Sequence, residues 1–444
     1  MGNMKVNSAL DGFGRFNRIN FKDGEITLNS KMMNSTWYEM CEKAGKIIPG
    51  MTFVPTSPVN WESRIPFVNL YYTQHYYDND WTQPNRLPDG KTYVGMTDMP
   101  AMLEFDIDSL TSKGTFQWKD DINCSLSTTH IQYLKSGEMF GVCGDVNPMG
   151  ENHLIAFKVM PDDIHKRIPI ATINVGKAPG YQHSFGLSDD YITIFQHSTY
   201  IDINKQMMGY PMIDCMTYDN TKMATIHVIK ISDGSVQSID AGIPFQMMHT
   251  GNQFMKDGKL IIDATTYDMP QADIFHPLTF SKIRKESDLF GMNSGTWTRF
   301  EIDLEKNTVK THDFLDGKLG GYELPAFNYD MQGQETCFTY LAEFYHQQEI
   351  SDDYGWDFSK FDACKGKIVS KWHQAGYLPM EPRFVSNPQG ETEDDGVLLT
   401  LAFDFRNQKS KLLIIDTKEM VTLQEYDLPH RIPQYYHSNF FPSY

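Results

Sequence analysis

His249 is the residue from which a chemical reading of this sequence can start. It lies in Phe245 to Asp268, FQMMHTGNQFMKDGKLIIDATTYD, where apolar residues lead in, Lys256-Asp257-Gly258 supplies an Asp-Gly turn, and Leu260 to Thr265 returns as a β-rich run. A histidine at such a strand end can face a shared axis while its backbone stays locked in a sheet, and that rigidity suits a metal site. A lone histidine on an apolar strand is more often a hydrogen-bonded core residue, so His249 needs companions. Among the fourteen histidines, His130 in CSLSTTHIQYL, His183 in GYQHSFGLSDDYITIF and His437 in RIPQYYHSNFF sit in comparable strand-end contexts. Competing chemistries lack their anchors. There is no GxSxG elbow, no P-loop and no HExxH, and no local cue makes Cys143 or Cys215 a nucleophile, so both read as buried thiols.

The elements that must position these rings are mostly hairpins. Phe16 to Leu28 alternates polar and apolar residues about Asp23-Gly24, and Thr36-Trp37-Tyr38-Glu39 has the capping-box spacing of a short helix that Gly45 can stop. From Ile48 to Tyr93 the chain is rich in Pro, Asn, Tyr and Asp, which predicts irregular loops between short strands. Tyr71, Tyr72, Tyr76 and Tyr77 there could touch a lipid or line a pocket, but without basic neighbours ordinary packing is favoured. Then a strand, polar turn, strand unit recurs over Leu103 to Trp118, His227 to Asp240, Phe300 to Phe314 and Leu412 to Leu428, with a longer version over Leu154 to Ile173. Repeated hairpins without amphipathic helices between them predict stacked four-stranded sheets, a β-propeller in preference to a β-sandwich pair. Low-complexity linkers are absent, which favours one domain over residues 1–444.

Composition narrows the partners. The chain has 39 basic and 57 acidic residues and a net charge of −18, which argues against nucleic acid or an anionic membrane surface as the main partner. Six scattered cysteines with no CxxC pair indicate neither a zinc knuckle nor a disulfide framework, and predict a reducing compartment. No run of eighteen apolar residues and no signal-peptide core are present, so a soluble or at most peripheral protein is expected. The N-terminal Met1-Gly2 has Val6 where a myristoylation signal needs Ser or Thr.

Several segments, taken in order, resemble the carotenoid cleavage oxygenase family. They are Asp11-Gly12, His183-Ser-Phe-Gly-Leu-Ser-Asp-Asp-Tyr191, His249 with Asn252, Glu323-Leu324-Pro325, Glu381-Pro-Arg-Phe-Val385 followed by Glu393-Asp394-Asp395-Gly396, and His437. The resemblance covers nearly the whole chain and implies an all-β fold, a seven-bladed β-propeller whose metal-bearing face is capped by short helices and loops. The first blade is expected to be incomplete, because Asp11-Gly12 matches a family segment normally preceded by several dozen residues. His130, His183, His249 and His437 are then the implied ligands of one iron(II) per chain. Imidazole suits iron(II), and four neutral ligands in an octahedral arrangement leave positions for dioxygen. Asp98, Glu323 and Glu381 are the implied carboxylates behind His183, His249 and His437, accepting the other ring N–H and compensating the metal's charge. Read singly, each acidic residue is more ordinary: a solvated or turn carboxylate, with Glu391 to Asp395 an exposed loop.

Three positions depart from the family pattern. Ile131 follows His130 where proline is usual, Asp98 stands where glutamate is usual, and Ser438 follows His437 where glycine is typical. The shorter Asp98 is expected to reach its histidine through water or a backbone shift. The implied activity is that of a dioxygenase cleaving a conjugated C=C bond of a carotenoid, apocarotenoid or related polyene, in a cytoplasmic protein with peripheral membrane contact for substrate uptake. Two alternatives stand beside it: a retinyl-ester isomerohydrolase that consumes no oxygen, and a non-catalytic propeller that binds a lipid or a partner protein. The oligomeric state is left open.

Overall fold

Asp23 and Gly24 turn through positive φ values of 52° and 80°, and the strands they join, Arg15–Lys22 and Glu25–Met32, pair in register from Lys22 against Glu25 to Arg15 against Met32. The Asp257-Gly258 turn does the same between Gln246–Lys256 and Lys259–Tyr267. This is the left-handed backbone that a tight two-residue hairpin requires. The computed structural model describes the whole chain apart from residues 148–149, 177–179, 269–274, 276–277, 284–294, 316–320, 345–350, 434–435 and 443–444.

The chain divides into two compact units. The first comprises Met1–His183, Gln196–Lys222 and Met269–Leu289; the second comprises Ser184–Phe195, Met223–Asp268 and Phe290–Tyr444. In the first unit one four-stranded antiparallel sheet runs from Gln83–Arg86 to Ser112–Thr115. A five-stranded sheet is built on Met139–Asp145, Asn152–Met160 and Asp163–Gly176, with Leu126–Ser127 and Gln132–Tyr133 on the same edge. In the second unit four sheets follow in chain order, spanning residues 186–240, 246–315, 321–373 and 377–427.

Six sheets among the described residues thus have the four or five strands of a blade, and the expected seven blades are corrected to six. The reason is visible at the Arg15–Lys22 hairpin. Its two strands pair only with each other, so the hairpin read from the sequence forms without growing into a blade.

Inner strands such as Asp357–Asp362 are buried on both faces, while edge strands such as Lys367–His373 alternate. Phe195, Ile226, Val228, Leu260, Ile262, Phe300 and Ile302 pack into one core cluster of the second unit, and each such side chain contributes about 1.5–3 kcal/mol when fully buried. In the first unit Val94, Met96, Ile155, Phe157 and Val159 do the same. Among the described residues no helix is long and apolar enough to cross a membrane.

Four local expectations are corrected. The helix Thr36–Ala44 is capped by Ser35, whose hydroxyl accepts from the Tyr38 N–H, one residue earlier than the capping-box spacing places it, while Gly45 ends it at φ 65°. The Ile48 to Tyr93 region is not all loop: Val68–Tyr76 forms a helix that buries Asn69 and Thr73. Glu391 to Asp395 is only partly an exposed loop. Glu393 accepts from the Cys337 and Phe338 N–H groups, and Asp394 pairs with the buried Lys360 at 2.7 Å. Disulfides join Cys124 to Cys143 and Cys337 to Cys364. Strand pairing supplies the first of these: Ser127 lies opposite Cys143, which brings the preceding Cys124 within reach, so spacing alone could not reveal it. This also removes the cysteine-based ground for a reducing compartment. Cys215 is a buried thiol, pushed up to about 12 by burial and by nearby Asp202 and Asp214.

Two neighbouring carboxylates of the first unit have opposite fates. Asp78 accepts from the Thr36 and Trp37 N–H groups and from Thr115 Oγ1, at 2.9, 3.0 and 2.9 Å. Asp80 is equally buried, and beyond a weak contact from the Leu103 backbone N–H its oxygens have no hydrogen-bond partner among the described residues. Burial, reinforced by the Asp78 charge, pushes the Asp80 pKa well above the ordinary carboxylate range. The folded state therefore holds this proton over a pH range where the unfolded chain has released it, and stability is lost as pH rises above the unfolded value near 4. Asp80→Asn should raise the thermal midpoint at pH 8 by the equivalent of about 1–3 kcal/mol, with the gain shrinking as pH is lowered toward 4. Paired melts of the two proteins across that range check both the sign and the slope.

Candidate metal centre

The strand Gln246–Lys256 is irregular where it carries His249. Its register against Lys259–Tyr267 shifts between Met247 and Thr250 and again before Gln253. Bulges of this kind re-aim a side chain that regular pleating would direct elsewhere. Gly251, two residues further on, lies so close to the fully buried Trp297 that a Cβ there would sit 2.9 Å from the indole. Glu323 sits at a matching irregularity. The register of Gly321–Ala326 against Phe338–Phe344 shifts just after it, and Leu324 takes a positive φ of 51° so that its N–H turns back onto Glu323 Oε2 at 2.9 Å.

In the second unit these two irregularities meet. His249 Nδ1 lies 2.5 Å from Glu323 Oε2, and the Tyr267 hydroxyl donates to the other carboxylate oxygen at 2.5 Å. His437 follows the same plan. Its Nδ1 is 2.9 Å from Glu381 Oε1, while Glu381 Oε2 accepts from the Ser438 N–H at 2.6 Å and its hydroxyl at 3.1 Å. All four residues are buried.

The first unit holds a second pair. His130 lies in the short break between Leu126–Ser127 and Gln132–Tyr133, two strands that both pair with Met139–Asp145. His183 directs Nδ1 at both oxygens of Asp98, each 3.0 Å away. The shorter Asp98 side chain therefore reaches its ring directly, without the water expected from its length. Thr129 Oγ1 at 2.7 Å and the Tyr181 hydroxyl hold the same carboxylate.

Burial works against ionisation of Asp98, Glu323 and Glu381, yet the adjoining imidazole and hydrogen-bond donors outweigh it and hold all three below the usual carboxylate range. An ionised carboxylate can only accept, so each accepts a hydrogen bond from the Nδ1–H of its ring, and that bond turns Nε2 away from the carboxylate. The Nε2 atoms of each pair face one another: those of His249 and His437 are 3.3 Å apart, and those of His130 and His183 are 3.1 Å apart. Two acceptors at that distance repel unless a cation or an extra proton stands between them. A largely buried set of imidazole nitrogens with carboxylates behind them suits a first-row divalent metal.

Tyr181, Tyr267 and Thr129 were not singled out from the sequence. Tyr181 stands two residues before His183, and Tyr267 ends a strand whose composition already explains an aromatic, so neither carries a signal of its own. A further buried histidine, His197, has no partner on either ring nitrogen; burial and the nearby His183 push it down to about 3, so it stays neutral. Replacing Tyr267 by Phe removes one donor from Glu323 and leaves every ligand in place. Titration of the Tyr267→Phe protein with cobalt(II) against a competing chelator should give an affinity lower by about 10- to 100-fold, with the circular dichroism unchanged.

The chain matches the family described as retinal pigment epithelial membrane protein over residues 1–442. It is 25% identical over 469 residues to the β,β-carotene 15,15'-dioxygenase of Mus musculus, covering 95% of this chain and 81% of the relative. It is 23% identical to the mitochondrial carotenoid-cleaving dioxygenase of Homo sapiens, covering 99% and 84%. Among solved structures, a variant of the Synechocystis apocarotenoid oxygenase aligns with a TM-score of 0.80 at 21% identity, over 98% of this chain and 88% of that one. The cobalt-substituted form of the same oxygenase aligns with a TM-score of 0.80 at 20% identity, over 98% and 88%. Identities this low speak to the fold.

Proposed function

The chain belongs to the retinal pigment epithelial membrane protein family, and from that premise we propose that it is a non-haem iron(II) dioxygenase. It cleaves a conjugated C=C bond of a carotenoid, apocarotenoid or related polyene, adding both atoms of dioxygen to give two carbonyl products. The observation that carries this reading is the apposition of Nε2 atoms in two histidine pairs, in which His183, His249 and His437 are each anchored through Nδ1 by a carboxylate. In this reading His130, His183, His249 and His437 together hold one iron(II). The names of the mouse and human relatives supply the reaction class.

Iron(II), when bound, supplies a place for dioxygen to be activated beside the alkene. The chain's own residues do the rest. Asp98, Glu323 and Glu381 keep the Nδ1 protons of His183, His249 and His437, so Nε2 is the coordinating atom of each ring at neutral pH. They also bring three negative charges against the metal's two positive ones, which a purely imidazole shell leaves uncompensated. Tyr181 and Tyr267 fix the orientation of two of these carboxylates. No protein nucleophile is required.

His249→Ala and His183→Ala decide the matter. Both variants should fall well below stoichiometric iron and lose cleavage of a carotenoid and apocarotenoid panel, with products identified as carbonyls by mass. Stoichiometric iron together with retained cleavage in both would end the proposal, and turnover without oxygen uptake would favour isomerohydrolase chemistry instead.

We also propose peripheral membrane contact for uptake of the apolar substrate. In the first unit Trp61, Phe67, Tyr71, Met208 and Tyr210 are exposed, Trp61 at 68% and Phe67 at 61%. They are held together by the Phe67 N–H donating to the Met207 carbonyl at 2.7 Å and by packing of Val68–Tyr76 against Trp61–Arg64 and Ile203–Met207. Aromatic and thioether side chains exposed in one cluster mark a surface that trades water for an apolar phase. Trp61→Ser combined with Phe67→Ser should reduce co-sedimentation with zwitterionic vesicles several-fold while leaving the melting curve unchanged.

A further inference from the structure

The second unit contains a cavity of about 400 Å³ that the proposed reaction does not use. Its wall is formed by Leu378, Met380, Leu401, Phe403, Trp356 and Ile432. Strand pairing sets Leu378 opposite Phe403, and the Trp356 N–H donates to the Tyr377 carbonyl at 3.0 Å. Among the described residues of the lining the one hydroxyl, that of Ser410, is engaged with the Ile432 backbone, accepting its N–H at 2.9 Å. The volume falls within the range of roughly 300–1,000 Å³ typical of small-molecule sites.

At the edge of the lining stands Arg431, exposed to solvent. Its guanidinium donates from Nε to the Gln408 carbonyl at 3.1 Å and from Nη2 to Gln408 Oε1 at 2.8 Å, and lies 5.9 Å from the centre of the Phe403 ring. Both acceptors are neutral. Among the described residues no carboxylate pairs with it, in a chain whose net charge is −18. Arginine is suited to binding a carboxylate through two parallel hydrogen bonds.

We propose that this cavity binds an amphipathic monocarboxylate, its head on Arg431 and its apolar tail along Leu378, Leu401 and Phe403. The chain segments that form the wall also lead into the candidate metal centre: Met380 precedes Glu381, and Ile432 lies five residues before His437. A bound tail restrains both segments at once.

Isothermal titration calorimetry of the full-length, metal-free protein with decanoate and decanol as probes tests the site independently of any oxygenase activity. One decanoate should bind per chain, at least about tenfold more tightly than decanol, a difference of roughly 1.4 kcal/mol. Arg431→Gln should close the gap between the two probes, and Leu401→Trp, which fills the cavity from a half-buried position, should abolish both. Failure of decanoate to bind at millimolar concentration overturns the proposal. So does binding that both substitutions leave unchanged, since it would lie elsewhere. If Leu401→Trp does not fold, the decanoate-to-decanol ratio in Arg431→Gln decides alone, because that side chain is exposed and its loss removes no core contact.

Discussion

The interaction on which the candidate centre depends is the bond between a buried carboxylate and the Nδ1–H of an imidazole. A free histidine rotates and shifts its proton between two nitrogens; a carboxylate-bound one does neither freely. Three such bonds, at Asp98, Glu323 and Glu381, convert three flexible rings into fixed electron-pair donors. A burial cost accompanies each carboxylate, and the surrounding donors offset it: tyrosine hydroxyls at Asp98 and Glu323, the Ser438 backbone and hydroxyl at Glu381.

Sheets explain how the pieces are delivered. Strand backbones are stiff and their hydrogen bonds are internally satisfied, so a residue at a strand irregularity inherits the rigidity of the ladder while escaping its alternation. His249 and Glu323 both use this device, on neighbouring sheets of the same unit, and His130 uses a related one by occupying the gap between two two-residue strands.

The hairpins were legible because turn chemistry and alternation act over a few residues: Asp23-Gly24 and Asp257-Gly258 announce their conformation directly. Helix Thr36–Ala44 was legible to within one residue of its cap. What the sequence could not tell is how many hairpins become blades, since that depends on whether strands distant in the chain find each other; the hairpin at Arg15–Lys22 does not. For the same reason Cys124 and Cys143 looked unrelated until strand pairing set them side by side. The four histidines stood out by their strand-end contexts, but their role as ligands and the carboxylates behind them came from a family resemblance rather than from spacing. Tyr181 and Tyr267 stayed hidden because an aromatic on a β-strand already has a sufficient reason to be there.

Gly251 and Trp297 give the centre an unobvious dependence. The backbone just beyond His249 abuts the benzenoid edge of an indole, so the depth to which that strand settles is gauged by the reach of a ring two strands away in the same sheet. Reactivity at a metal is sensitive to shifts of a few tenths of an ångström. A swap at position 297 for a thinner side chain would therefore detune the chemistry from behind, leaving every donor atom present and the lesion invisible to anyone inspecting the ligands alone.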